Sequence, residues 1–267
     1  YFDKYSIRNK GKAEKVDALV LDIGLKSFPY ISINTEFGTY MNKNNFQAHP
    51  WHGVNIGENA PETVMAYIEI VPTDTVKYEI DKESGFLMVD RPQKFSNIIP
   101  APYGFIPQTY CAEQVADYCM EKTGKTDIIG DGDPLDVCVL TERSIAHGNI
   151  LMPVIPIGGF RMIDGGEADD KIIAVMKGDQ FYQQWQDVKD CPKSVITRLE
   201  HYFFTYKDRP CMTSSEVEIT HTYGRDEALE IVNKHMWYSA GAGLVPIPVL
   251  DFVGITAIQV KMLQKMA

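Results

Sequence analysis

The feature that most constrains this chain is a short acidic run, Asp131-Gly-Asp133-Pro-Leu-Asp136, which ends where an apolar stretch begins. Asp131 and Asp133 lie two residues apart, so an extended backbone points both carboxylates to the same side. Asp136 follows at the start of the apolar stretch, and three carboxylates this close repel one another. A hard divalent cation offsets the repulsion, because carboxylate oxygens are the ligands that Mg²⁺ prefers. The run therefore predicts a metal site beside the start of a strand.

A second acidic run lies downstream and joins two predicted strands: Asp164-Gly-Gly-Glu167-Ala-Asp169-Asp170-Lys171. Two acidic loops at strand ends can converge across the mouth of a barrel and form a site for several metal ions with a shared carboxylate. For either run taken alone, solvated acidic turns are an equally good interpretation, because Asp and Gly are common in turns for local reasons. Convergence of the two runs is what distinguishes the interpretations.

Two familiar motifs fail on this chain. Reading Asp131 as the first position of a calcium loop places Glu142 correctly at the twelfth, but the sixth position requires Gly and is Asp136. Residues 124–126 resemble the end of a phosphate-binding P-loop, but the earlier glycine of that motif is replaced by Cys119. The acidic runs therefore belong to neither motif.

Two histidines, His49 and His52, flank Trp51 ahead of the first dense strand signals. Paired histidines can bind a metal ion, and they can equally stabilise a packed loop. We favour the packed loop for this segment.

Basic and phenolic side chains supply the cations and donors that a phosphate substrate requires. A predicted strand alternates so that Lys77 and Glu79 share one face, either as a surface ion pair or as part of a site. Arg91 follows the next predicted strand, and its planar guanidinium suits phosphate oxygens. Tyr206 and Lys207 end a late amphipathic helix, where Tyr206 fits a core role and a site role equally well.

Strand patterns dominate the middle of the chain, and helices lie at its edges. We predict a β-rich α+β fold built around a small barrel. The predicted strands cover residues 66–71, 76–80, 86–89, 136–141, 154–160 and 171–176, and the second and third of these form a hairpin. The predicted helices cover residues 115–122, ending at Gly124, and 194–207.

The chain divides by composition into three parts. Residues 1–48 have weak patterns, with a short helix or strand at 16–25, and residues 49–233 carry the strand signals. Residues 234–267 form an apolar extension that is long enough to span a bilayer. Pro246, Pro248 and Asp251 interrupt it, which favours a buried helical hairpin or an interaction segment over a simple span.

Composition limits the partners of this chain. Apolar residues make up 45% of it and charged residues 23%, which is the balance of a globular protein with a normal core. The formal net charge of −10 disfavours binding to nucleic acid. Five cysteines, an odd number without a C-x-x-C pair, argue against a disulfide framework or a zinc knuckle and indicate a reducing cytoplasm.

Several segments, in this order, resemble the family I soluble inorganic pyrophosphatases over about residues 49–233. The matching segments are residues 68–72, 76–85, 90–91, 103–109, 131–136 with its D-x-D-P-x-D signature, then Asp164, Asp169, Lys171 and residues 206–208. The resemblance implies a small five-stranded, OB-like β-barrel with flanking helices. It also implies Mg²⁺-dependent hydrolysis of inorganic diphosphate to two phosphates by a metal-activated water.

The resemblance also implies a role for each site residue. Asp133 would act as the general base for the attacking water. Several Mg²⁺ ions would be ligated by Asp131, Asp136, Asp164 and Asp169, with Asp136 and Asp169 shared between ions and with Glu69 and Glu79 acting largely through water. The substrate phosphates would be held by Lys77, Arg91, Tyr103, Lys171, Tyr206 and Lys207. The family usually forms homo-oligomers.

Two positions depart from the family pattern. Ile99 stands where the family often has a site tyrosine, and Gly165 stands where the short bacterial forms have an acidic residue. Neither removes a main ligand. The strand-face interpretation also predicts that Lys77→Ala lowers turnover, whereas Lys94→Ala leaves it nearly intact.

Two rival functions remain on the sequence alone. A catalytically weak module could bind phosphate or metal and dock a protein or a membrane through the apolar extension. Another Mg²⁺-dependent phosphohydrolase, such as a nucleotidase, would need a base-binding pocket, for which the chain carries no motif.

Overall fold

A computed structural model describes residues 6–9, 12–15, 48–94, 96–207 and 217–241, with side chains placed through residue 236 of the last helix. The chain forms two compact units, residues 1–48 and 49–267. In the first unit, β1 (Ser6–Asn9) and β2 (Lys12–Lys15) pair in antiparallel fashion. The short element expected at 16–25 and the apolar stretch from residue 242 lie outside the described residues, and the three-part division stays a prediction.

Five strands of the second unit form a ring of pairings. They pair in the order β11, β8, β6, β3 and β9, and β9 then pairs with β11 to complete the ring. The β-rich fold with an OB-like ring of five strands is therefore confirmed. The five strands are β3 (Val64–Ile70), β6 (Tyr103–Phe105), β8 (Asp136–Leu140), β9 (Ile150–Asp164) and β11 (Lys171–Met176).

Shorter strands and helices surround the ring. The hairpin of β4 (Val76–Ile80) and β5 (Leu87–Pro92) forms as predicted. Strand β12 (Val217–Gly224) extends the sheet along β9, and β7 (Ile129–Gly130) pairs with β10 (Glu167–Ala168). The helices are α1 (Glu113–Thr123), α2 (Lys193–Thr205) and α3 (Arg225–Gly241), with a 3₁₀ turn at Val188–Asp190. Within the described residues, no helix is long and apolar enough to cross a membrane.

The predicted strands and helices of the second unit are confirmed, and several further elements were missed. Helix α1 ends where expected, because Gly124 adopts the left-handed conformation that closes a helix (φ 70°). The elements that were not predicted include helix α3 and strands β1, β2, β6, β7, β10 and β12, of which β6 belongs to the ring. A signal for α3 is present, since Ala228, Ile231, Val232 and His235 recur at helical spacing and are all buried.

A testable consequence concerns His235, which is only 3% exposed and whose burial lowers its pKa to about 4. The unfolded chain therefore binds a proton first, so stability is complete above about pH 6.5 and is lost as the pH falls toward 4. The loss from this residue reaches roughly 3 kcal/mol. We expect His235→Gln to flatten the acid limb of a denaturation-against-pH profile.

The matched control is His201→Gln, which replaces an exposed histidine on α2. This control should leave the acid limb of the profile unchanged. Equal slopes for wild type and His235→Gln would contradict the assignment.

Candidate active site

One pocket of about 370 Å³ at the mouth of the ring gathers every side chain proposed from the sequence. The pocket is lined by Glu69, Lys77, Glu79, Arg91, Tyr103, Asp131, Asp133, Asp136, Asp164, Asp169, Lys171, Tyr206 and Lys207, together with Trp51, Lys82 and Asp90 among others. The two acidic runs, which are distant in sequence, thus converge. Solvated turns facing apart are excluded as an interpretation.

Two parallel strand pairs bring the acidic runs together. β7 and β10 pair in register, Ala168 opposite Gly130, so the residues that follow them, Asp131 and Asp169, leave the pair side by side. β8 and β11 are also parallel, and their first residues, Asp136 and Lys171, are register partners. Gly130 is required at the end of β7, because an added Cβ would lie only 2.6 Å from the Ala112 carbonyl oxygen.

Burial and mutual repulsion disturb the carboxylates of this pocket. Burial raises the pKa of Asp131 to about 8, and the negative charge of the neighbouring Asp169 adds to this shift. Burial also raises the pKa of Glu69 to about 8, against a hydrogen bond from the Ile80 amide (2.8 Å). The pKa of Asp169 rises to about 6 through burial, although Lys171 opposes the shift. The pocket therefore holds protons near neutral pH unless cations replace them.

Lys171 is the buried cation of the site. Its ammonium group contacts Asp136 and lies 2.5 Å from Asp169 Oδ1, and its side chain is only 4% exposed. The Tyr103 hydroxyl donates to Asp136 Oδ2 at 2.6 Å. Burial lowers the pKa of Lys171, but the two carboxylates outweigh burial and hold its pKa well above the usual value.

A second group of donors comes from the end of α2. The Tyr206 hydroxyl donates to Asp164 Oδ2 at 3.0 Å, and the Lys207 ammonium contacts the same oxygen. Asp164 is the last residue of β9, so the longest strand of the ring carries this carboxylate into the pocket. Tyr206 therefore serves the site and also packs beside the core cluster under α2.

The β4–β5 hairpin forms one wall of the pocket, and the end of α2 forms a second wall beside it. Lys77 Nζ lies 2.8 Å from Glu79 and 3.2 Å from Asp90, so the pair predicted on one strand face does line the site. The Arg91 guanidinium lies 6.0 Å from the centre of the Tyr206 ring. Arg91 Nη1 is buried without a hydrogen-bond partner among the described residues, which leaves a donor for a ligand oxygen.

Sequence patterns missed several lining residues, and Lys82 and Trp51 are two of them. Lys82, in the hairpin turn, forms an ion pair with Asp133, and turn residues carry no periodic signal that would reveal this contact. Trp51 lines the pocket, and its indole N–H donates to the Thr109 carbonyl at 2.7 Å. His49 and His52, on either side of it, stack with ring centres 4.5 Å apart, which fits the packed loop we favoured.

Three further positions are clarified by the structure. Substitution of Lys94 was expected to leave turnover nearly intact. Its Nζ, however, donates to the Lys207 carbonyl at 2.8 Å, so Lys94 is an unsuitable control residue. Ile99 is 1% exposed and packs in the core rather than lining the pocket. Gly165 has φ +60° in the tight turn after β9, where a left-handed backbone favours glycine over an acidic residue.

The site can hold a divalent cation by donor chemistry, although it is not preformed. Among residues 48–94, 96–207 and 217–236, no three His, Cys, Asp or Glu side chains are already gathered around one point. The reason is visible in the ion pairs, because Lys171 lies between Asp136 and Asp169, and Lys207 pairs with Asp164. Crowded carboxylates with raised pKa values are suitable oxygen ligands for a hard ion.

Removing the buried cation should cost stability. We expect Lys171→Met to lower the free energy of unfolding by about 3 kcal/mol in chelator, because two buried carboxylates lose their partner. Lys82→Met is the matched control: its ion pair is 52% exposed on the lysine side and should contribute less than about 1 kcal/mol. Urea denaturation of both variants checks this, and equal losses would show that Lys171 is no special counter-ion.

Comparison with known proteins agrees with this geometry. The family model described as inorganic pyrophosphatase matches residues 66–239. The inorganic pyrophosphatase of Chlamydia muridarum is 49% identical over 188 residues, which cover 69% of this chain and 90% of that protein. The soluble inorganic pyrophosphatase of Oryza sativa subsp. indica is 33% identical over 209 residues, or 78% of this chain and 87% of that protein.

A solved structure agrees as well. The crystal structure of inorganic pyrophosphatase from Thermus thermophilus aligns with a TM-score of 0.60 and 31% identity over 72% of this chain and 99% of that one. The resemblance inferred from the motifs is thereby confirmed. This chain belongs to the inorganic pyrophosphatase family.

Proposed function

We propose that this chain hydrolyses inorganic diphosphate to two phosphates in a Mg²⁺-dependent reaction with Asp133 as general base. The observation that carries the proposal is the convergence of both acidic runs with lysine, arginine and tyrosine donors in one pocket. Carboxylates alone would repel a polyanionic substrate. Carboxylates that can bind cations, facing basic donors across a small pocket, suit a diphosphate.

The metal would be held by carboxylates of the two runs. Asp131, Asp136, Asp164 and Asp169 would ligate it, and Glu69 and Glu79 would support further ions through water. When bound, Mg²⁺ neutralises phosphate oxygens and lowers the pKa of a coordinated water. The raised pKa values of Asp131 and Asp169 support this assignment, because burial and acidic neighbours disfavour the charged carboxylates and a bound cation would offset both effects.

The donors of the two walls would bind and orient the substrate. Lys77 and Arg91 come from the hairpin, and Tyr206 and Lys207 come from the end of α2, so the phosphates would lie between the two walls. Lys171 lies buried at the base of the pocket beside Tyr103. Fixed positive charge and hydroxyl donors stabilise the negative charge that builds on the leaving phosphate.

The proposed proton acceptor is Asp133. Its backbone N–H donates to Asp131 Oδ1 at 2.9 Å, which fixes the loop, while its carboxylate faces the pocket and is 37% exposed. A carboxylate beside the attacking water would accept the proton as the water attacks phosphorus. Lys82 holds one oxygen of this carboxylate, leaving the other for the water.

The rival binding-module hypothesis predicts no turnover. We expect phosphate release from diphosphate in the presence of Mg²⁺, loss of release in chelator, and much slower release from ATP. Absence of release under these conditions would support the binding module instead. Homo-oligomeric assembly stays a prediction of the family resemblance. A cytoplasmic location stays a prediction of the cysteine pattern.

Asp133→Asn provides the sharpest test of the general base. We expect kcat to fall about 10²- to 10⁴-fold while Mg²⁺ affinity changes little, because the substitution removes a proton acceptor rather than a main ligand. The matched control is Asp127→Asn, an exposed residue near the same loop whose positive φ (62°) asparagine tolerates. An equal loss of turnover and metal affinity in Asp133→Asn would identify Asp133 as a ligand.

Metal binding should also release protons near neutral pH. The carboxyls of Asp131 and Glu69 stay protonated up to about pH 8, so an ion that ligates or approaches them displaces protons below that pH. Mg²⁺ affinity should therefore rise with pH and level off above about pH 8. Calorimetric titration in two buffers of different ionisation enthalpy measures the release. Identical heats at neutral pH would contradict the prediction, and Asp131→Asn should reduce the release.

A further inference from the structure

A short segment, residues 93–97, connects the β4–β5 hairpin to the end of α2 through hydrogen bonds. Its residues Lys94 and Asn97 do not line the pocket. Arg91 is the second-to-last residue of β5, which ends at Pro92, and residues 93–97 follow it in the chain. Tyr206 and Lys207 follow the last residue of α2. These two parts of the chain are more than a hundred residues apart, so only tertiary contacts can set the distance between their donors.

Two side chains of the segment bond to the end of α2. The Asn97 side-chain amide donates to the Thr205 carbonyl at 2.6 Å, and the Thr205 hydroxyl lies 3.3 Å from Asn97 Oδ1. The Lys94 ammonium donates to the Lys207 carbonyl at 2.8 Å. The last carbonyls of a helix lack partners within the helix, so they are natural acceptors for such donors.

The helix itself does not provide these donors. The last turn of α2 has no basic residue, although a cation is favourable at a helix C-terminus. Lys94 supplies that charge from another segment. Backbone hydrogen bonds fix the segment itself. The Gln93 backbone N–H donates to the Thr75 carbonyl at 2.9 Å, and within the segment the Asn97 backbone N–H donates to the Lys94 carbonyl at 3.0 Å.

We propose that Lys94 and Asn97 are positioning residues that clamp Tyr206 and Lys207 at a set distance from Arg91. They bond to backbone atoms and do not line the pocket, so they act only through the residues that they hold. The clamp fixes the gap between the walls in which a diphosphate would lie. This inference rests on the phosphate-binding roles proposed above for Tyr206 and Lys207.

The test is a double-mutant cycle on kcat/KM for diphosphate with the full chain and saturating Mg²⁺. We expect Lys94→Met to lower kcat/KM about tenfold or more, because small misplacements of binding groups are costly. Lys94→Arg keeps a donor and should restore most of the loss. The matched control is Lys177→Met, which replaces an exposed lysine that does not line the pocket and should change nothing.

The decisive arm repeats Lys94→Met in a Lys207→Ala background. Alanine keeps the carbonyl that Lys94 bonds to but removes the side chain that the clamp positions, so the loss from Lys94→Met should shrink severalfold. Tyr206 and Arg91 remain in that background and keep turnover measurable. Urea denaturation should show the same destabilisation by Lys94→Met in both backgrounds.

Each failure has its own signature. An equal loss of kcat/KM in both backgrounds would overturn the clamp and leave Lys94 a merely structural residue. Wild-type kcat/KM in both Lys94→Met and Asn97→Ala would overturn it too. Wild-type kcat/KM in Lys207→Ala alone would instead refute the phosphate-binding role of Lys207, and the clamp with it.

Discussion

Repulsion among buried carboxylates is the constraint on which the rest of this structure depends. Asp131, Asp169 and Glu69 are each forced toward the protonated state by burial and by acidic neighbours. No core packs such groups together for stability, since paired and unpaired charges are both costly to bury. Lys171 offsets only part of the negative charge. In the proposed function, bound Mg²⁺ would offset the rest.

The ring of strands explains how distant residues meet at such cost. Parallel pairing of β7 with β10 places Asp131 next to Asp169, and parallel pairing of β8 with β11 places Asp136 next to Lys171. The side chains of both pairs line the same pocket, and Asp164 at the end of β9 lines it as well. Register, rather than any local preference of the acidic runs, is thus what creates the site. A slip of one residue would turn these side chains away from the pocket.

Much of this could be predicted from the sequence, and the exceptions share a cause. Alternation and helical spacing report on a residue's own element, so Lys77 and Glu79 on β4 and the apolar face of α2 were identified. Lys82 was missed because its contact with Asp133 crosses between two loops, and nothing in its neighbours encodes that. Substitution of Lys94 was predicted to have little effect on turnover for the same reason. Its partner is a backbone carbonyl 113 residues away.

The run Asp169-Asp170-Lys171 shows that the fold treats adjacent acids in two different ways. Asp169 faces the pocket, where a lysine and exchangeable cations can balance it. Asp170 points into the opposite interior, where Arg161, itself 1% exposed, lies 3.2 Å away and Tyr223 donates at 3.3 Å. Arg161 also pairs with Glu227 of α3. The buried ion pair between Arg161 and Asp170 therefore helps to fix the backbone next to Asp169.

The counter-ion of Asp170 is a buried part of the protein, whereas Asp169 lies in the pocket. A guanidinium held by two carboxylates and two aromatic rings cannot leave, so Asp170 is neutralised whatever the pocket contains. Asp169, one residue earlier, pairs with Lys171 but lines the pocket, so its electrostatic surroundings change with the pocket's contents. The fold can therefore remain assembled while the charge in its active site changes. This independence suits the proposed metal-dependent hydrolysis, in which the charge in the pocket would change as diphosphate binds and phosphate leaves.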